Sequence, residues 1–213
     1  MSIANGREFL AIPGPTVIPD QVLAAMHRPA LDIYSGPLLA LTDGLLRDIA
    51  RLFNTTGRAY IYIANGHGVW EAVITNVLSK GDKILVLESG RFAINWGEHA
   101  RRLGVEVEVV KGDIRRAVRP AEVEARLKAD KGGTIKAVMV AQIDTASGVV
   151  NDIPAISAAI RAARHEALFM VDALTNDALI HEAPAIVGRE TPSALAHADA
   201  RPHAIGATGI RAR

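Results

Sequence analysis

The residues best equipped for chemistry fall in four short segments, each directly after an apolar run. In Ala64-Asn65-Gly66-His67-Gly68 the glycines let backbone N–H groups approach an anion closely, and a helix starting there adds unpaired donors and a partial positive charge. A phosphate would sit well in that loop, although a tight turn needing two glycines would use the same residues. Glu88-Ser89-Gly90-Arg91-Phe92, with Trp96 one turn on, offers a ring able to lie on a planar aromatic ligand or to pack as core. Asp144-Thr145-Ala146-Ser147-Gly148 gathers short hydroxyl side chains beside a glycine, fit either to donate to a ligand oxygen or to cap a turn. Asp172 ends the apolar run 167–171; its charge needs a partner, either a protonated ring nitrogen or a helix N-terminus.

The elements that must position these residues alternate along the chain. Short β-rich apolar runs at 58–63, 83–87, 105–110, 135–140 and 167–171 predict five strands. Helical spacing connects them. Leu38, Leu41, Leu45, Ile49 and Leu52 form one stripe ahead of the first strand, with Ser35 placed to cap that helix and Pro37 in its first turn. Further helices are expected over 67–80, closed by Gly81 in a left-handed conformation, and over roughly 92–103, 120–130 and 153–165. Strand–helix–strand connections of this length make neighbouring strands parallel. The fold class is α/β, a mostly parallel sheet with helices on both faces, and ligands of such sheets bind outside the carboxyl ends of the strands. The four segments lie there. A phosphate cradle, a stacking ring, a hydroxyl and an acid at successive strand ends together describe a grip on pyridoxal phosphate.

Composition bounds the alternatives. The chain has 213 residues, no Cys and 49% hydrophobic residues, which excludes a disulfide miniprotein and a disordered chain. Lys+Arg 24 against Asp+Glu 23 leaves a net charge of +1, so no global field draws nucleic acid or an anionic membrane. No run reaches the ~18 apolar residues of a membrane span, and the start MSIANGREF lacks the order of a secretory signal. The cytoplasm is therefore the expected location. The last aromatic is Phe169 and the last Lys is Lys136; from about Ala173 the chain runs through Ala, Arg, His and Pro without sustained periodicity.

The order of motifs resembles the class V aminotransferases of the alanine-glyoxylate and serine-glyoxylate type, within fold type I pyridoxal-phosphate enzymes. The similarity rests on Pro13-Gly-Pro-Thr16 with Pro19, on Asn65-Gly-His-Gly-Val-Trp-Glu-Ala72, and on Gly81-Asp-Lys83. It continues through Gly90-Arg-Phe92, Asp144-Thr-Ala-Ser-Gly-Val149 with Asn151-Asp-Ile153, and Val171-Asp-Ala173, so that it runs from about residue 9 to 174. The resemblance implies that Asn65, Gly66 and His67 hold the phosphate of pyridoxal 5'-phosphate, largely through backbone N–H groups. It puts Phe92 on the ring face, Thr145 at the ring oxygen and the catalytic Asp172 under the pyridine nitrogen, with Trp96 as packing. It also implies a small amino acid and a 2-oxo acid as substrates, with amino transfer from serine or alanine to glyoxylate or a similar acceptor, and a homodimer. Neither nucleic acid nor membrane is an expected partner.

The departures are as informative. In the family a Schiff-base Lys follows about 25 residues after the acid, whereas this sequence has no Lys after 136. The C-terminal small domain, with the Arg that grips the substrate carboxylate, is missing as well. These departures divide the chain into an N-terminal arm and first helix (1–36), a partial cofactor-binding large domain (37–174) and a poorly ordered tail unlike the family (175–213). Loss of a positioned proton-transfer group costs on the order of 10²–10⁴ in rate, so the chain reads as truncated and inactive by itself. The alternative is a non-catalytic module that binds pyridoxal phosphate or another phosphate, or that dimerises with a full-length relative. An ordinary nucleotide-binding domain is disfavoured, because the Asn65 loop lacks a following Lys-Ser/Thr and the three-glycine fingerprint.

Overall fold

The computed structural model describes residues 10, 17–52, 57–173 and 208–209. The chain divides into two compact units, Met1–Thr42 and Asp43–Arg213. In the first, α1 (Asp20–Met26) follows Pro19, and α2 (Pro37–Leu52) starts there and continues into the second. Because α2 starts at Pro37, its cap position is Gly36, at φ +81°. The Ser35 hydroxyl, expected to cap, donates to Asp32 Oδ2 at 2.6 Å instead.

The second unit runs α3 (Gly66–Val77), β1 (Lys83–Leu87), α4 (Arg91–Arg102), β2 (Glu106–Val110), α5 (Pro120–Ala129), β3 (Ile135–Ala141) and a small hairpin, β4 (Ile143–Asp144) and β5 (Val149–Val150). It continues through α6 (Ile153–Ala162), β6 (Leu168–Asp172) and the two-residue β7 (Thr208–Gly209). The main sheet has the order β2-β1-β3-β6-β7. Its first four strands are mutually parallel, and β7 runs antiparallel to β6.

Alternation along the strands divides the core. Ile84 and Val86 of β1, Ala137 and Met139 of β3 and Met170 of β6 face α3 and α4, packing on Val73, Ile74 and Trp96. Leu85 and Leu87, Val138 and Val140, and Val171 face α5 and α6, packing on Val123, Leu127, Ile156 and Ile160. Strands buried on both faces must be mainly apolar, and apart from Lys83 and Lys136 near their starts β1 and β3 are; β2 is at an edge and carries Glu106 and Glu108. The fold is the expected α/β sheet with helices on both faces.

One strand expectation fails. Segment 58–63 belongs to no strand, and Ile61, Tyr62 and Ile63 are exposed. Its β-rich composition describes a surface that fits a sheet, and a strand forms only where a neighbour completes its ladder; none of the described strands pairs with it. The other four strands appear where expected, and helices expected over 67–80 and 153–165 stop at Val77 and Ala162. The tail over 175–213 lies outside the described residues except for β7. Among the described residues no helix is long and apolar enough to cross a membrane.

Candidate functional site

The chain leaves β1 toward edge strand β2 and returns to β3 on the other side of β1. That reversal opens a crevice at the carboxyl ends of β1 and β3. Asp144, just beyond β3, spans it. Its carboxylate is 0% exposed; Oδ2 accepts the N–H groups of Phe92 (2.9 Å) and Ala93 (3.0 Å), and Oδ1 accepts that of Ala146 (3.1 Å). Helix α4 has no capping side chain from its own N-cap residue, Gly90. Asp144 supplies the cap from 52 residues away, so two of the unpaired first-turn donors are met from across the crevice. Gly90 is required here because a Cβ would stand 2.3 Å from Asp144 Cγ. Ser147 reinforces the contact, its hydroxyl donating to the Ser89 carbonyl at 2.8 Å. Phe92 is thereby fixed at the start of α4, and Thr145, half-buried, opens the β4–β5 turn.

At α3 the side chain of Asn65 is the N-cap and accepts the Gly68 N–H at 3.1 Å. Gly68 has to be a glycine, since a Cβ would meet that of Ala64 at 2.6 Å. Gly66 and His67 occupy the helix's first two positions, whose N–H groups point outward along the axis with the positive end of the dipole. The His67 ring stacks toward Phe92 (6.5 Å between centroids, 29° between planes) and meets Trp70 edge-on at 4.6 Å.

Asp172 closes the group. It ends β6, is 6% exposed, and its Oδ2 accepts the Trp70 indole N–H at 3.1 Å. Its carbonyl accepts the Gln142 N–H, and the Gln142 carbonyl accepts the Asn151 N–H, both at 2.8 Å. The Asn151 side chain donates to the Ala141 carbonyl (2.7 Å) and accepts the Val118 N–H (2.9 Å). These bonds pin the ends of β3 and β6 to each other.

The structure thus links Asn65, Gly66, His67, Phe92 and Asp172 through the rings of His67 and Trp70, and joins Thr145 to Phe92 through Asp144. Trp96 is buried and stacks on Trp70 at 5.7 Å, so of the two uses its position offers it takes core packing. Two residues carry more of the geometry than sequence reasoning gave them. Trp70 and Asp144 lie inside the Asn65–Ala72 and Asp144–Val149 motifs, yet their partners are 102 and 52 residues away. A cavity of about 290 Å³ lies elsewhere, past β1 and β2, lined by Glu88, Lys111, Asp113, Arg116 and Glu122 among others; none of the expected site residues borders it.

The donor set suits a phosphorylated, protonated heterocycle. Outward N–H groups at the α3 N-terminus suit the anion, the Asp172 carboxylate suits the ring cation, and an aromatic wall runs between them. Trp70, which touches Asp172, is one turn along α3 from Gly66, so one helix connects the two poles.

A family model described as aminotransferase class-V matches residues 9–181. The chain is 40% identical over 172 residues to serine–glyoxylate aminotransferase of Methylorubrum extorquens, covering 80% of this chain and 43% of that protein. It is 37% identical to the Arabidopsis thaliana enzyme of the same name, with the same coverage. L-aspartate–glyoxylate aminotransferase of Paracoccus denitrificans is 35% identical, over 78% of this chain and 42% of that one. The chain therefore spans less than half the length of these relatives. Among solved structures, ureidoglycine-glyoxylate aminotransferase from Bacillus subtilis superposes with a TM-score of 0.65 at 27% identity, over 76% of this chain and 41% of that chain. Pyridoxamine-pyruvate aminotransferase from Mesorhizobium loti gives 0.70 at 24% identity, over 90% and 46%, a likeness of fold.

Proposed function

The chain belongs to the class-V aminotransferase family, whose cofactor is pyridoxal 5'-phosphate, and from that premise we propose that segment 37–174 holds this cofactor through the residues gathered at the sheet's carboxyl edge. The observation that carries the reading is the continuous contact from the α3 N-terminus through His67 and Trp70 to Asp172. When bound, the cofactor supplies an electron sink for amino-group transfer. The chain's own residues bind and orient it. Asn65 fixes the first turn of α3, Gly66 and His67 present N–H groups to the phosphate, Phe92 covers the ring face, the Thr145 hydroxyl donates to the ring oxygen, and Asp172 holds the proton on the ring nitrogen.

The whole-protein activity we read from this is transfer of an amino group from a small amino acid, serine or alanine, to glyoxylate or a related 2-oxo acid, in a cytoplasmic homodimer. Residues 137–213 contain no lysine, which favours binding without a covalent link and without a positioned proton carrier. The chain by itself is then a cofactor-binding module with negligible turnover.

Titration of the full chain with pyridoxal phosphate, followed by cofactor fluorescence, tests this. Saturable binding is expected, lost on dialysis, with no lysine labelled by borohydride reduction. Asp172→Ala should weaken it by about 1–3 kcal/mol, the cost of an unmade charged hydrogen bond, and Phe92→Ala by about 0.5–1.5 kcal/mol. A borohydride-trapped lysine, or unchanged affinity in Asp172→Ala, would refute the assignment.

A further inference from the structure

Trp70 is a large ring in a fully packed position, 2% exposed. It stacks on Trp96 with planes 18° apart, and both His67 and Phe92 meet it edge-on. Packing alone would be served by any aromatic of similar size. The buried indole N–H of neighbouring Trp96 has no partner among the described residues, so this part of the core accommodates an indole without using its donor. At Trp70 the donor is used. It reaches across 102 residues to Asp172 Oδ2 at 3.1 Å.

We propose that Trp70 is the positioning residue of Asp172, an extension that rests on the cofactor reading above. A hydrogen bond given to a carboxylate oxygen favours the ionised form over the acid and fixes rotation about the terminal side-chain torsion. Both effects matter for a nearly buried group whose task is to face a protonated ring nitrogen. The ring of Trp70 is itself clamped by Trp96 and His67, so the carboxylate inherits the rigidity of the α3–α4 packing rather than of its own strand end. Trp70 is 2% exposed and donates to the acid, so in this proposal it acts through Asp172.

The test uses the full 213-residue chain and two substitutions. With only two tryptophans, the proton spectrum carries two indole N–H resonances, assigned by Trp70→Phe. In the cofactor-free protein Asp172→Asn should move the Trp70 resonance and leave that of Trp96 in place; an unmoved Trp70 resonance overturns the inference. With ring-labelled pyridoxal phosphate, Trp70→Phe, which keeps an aromatic ring and deletes the donor, should weaken binding roughly tenfold and move the ring-nitrogen resonance toward its unprotonated position. A packing role would lower the unfolding midpoint without moving that resonance. Wild-type affinity and an unchanged ring-nitrogen signal in Trp70→Phe likewise overturn the inference. If the wild-type chain does not bind the cofactor, the functional reading falls and the indole resonance alone decides whether Trp70 holds Asp172.

Discussion

Asp144 satisfies its buried charge with three backbone N–H groups and the N-terminal end of α4, a helix whose first turn is otherwise capped by nothing local. Replacing it by alanine removes charge-assisted bonds and leaves buried donors unmade. Asp144→Ala is therefore expected to lower stability by about 2–4 kcal/mol in urea unfolding and to weaken pyridoxal phosphate binding through a displaced Phe92; a change under about 0.5 kcal/mol would contradict the cap. Asp144→Asn, which keeps an acceptor oxygen, should lose less. At this scale the candidates Asn65, Phe92, Thr145 and Asp172 stand out in the sequence because each follows an apolar run, a local pattern. Trp70 and Asp144 do not, since their roles exist only where α3 meets β6 and where β3 meets α4, contacts that no spacing encodes.

Among elements, the strands with flanking turn signals and largely apolar runs, Lys83–Leu87, Ile135–Ala141 and Leu168–Asp172, are readable because burial on both faces forces that composition. Segment 58–63 had the composition without the neighbour. The opposite ends of β3 and β6 are held by a second buried cluster that the sequence does not announce. There Asp130, 6% exposed at its side chain, accepts from Ile135 N–H (2.8 Å), Thr134 Oγ1 (2.9 Å) and His165 Nε2 (3.1 Å). His165 Nδ1 accepts the Ala167 N–H, which leaves the ring proton on Nε2 for Asp130. Burial opposes the charge of Asp130, but the bonds from Ile135, Thr134 and His165 outweigh it and hold its carboxyl well below the usual range. A carboxyl lowered on folding stabilises the native state above the unfolded value of about 4 and loses that contribution as pH falls through it. Thermal unfolding of wild type and Asp130→Asn should thus show a wild-type advantage at neutral pH that shrinks steadily below about pH 4. An advantage independent of pH would show that packing, and not charge, anchors these strand ends.

For the molecule as a whole, exposure sets the behaviour. The middle of the stripe on α2 that amphipathic spacing assigns to a core is open: Leu41 is 50% and Leu45 45% exposed, while Leu38 and Ile49 are half-buried; Leu39 and Leu46 are exposed too, as are Val22, Leu23 and Met26 on α1. Helices with an apolar stripe are stable in water only when it is covered, and contiguous exposed apolar surface marks an interaction site. With a net charge of +1, no long-range repulsion keeps copies apart. The chain alone is therefore expected to self-associate, giving by light scattering a mass above the 22.7 kDa of one chain that rises with concentration. The pair Leu41→Glu and Leu45→Lys places an ion pair one turn apart on α2 and preserves the helix while breaking the stripe. It should return the mass toward that of a monomer. Wild-type protein that stays monomeric at high concentration would mean that the exposed α2 stripe does not drive association.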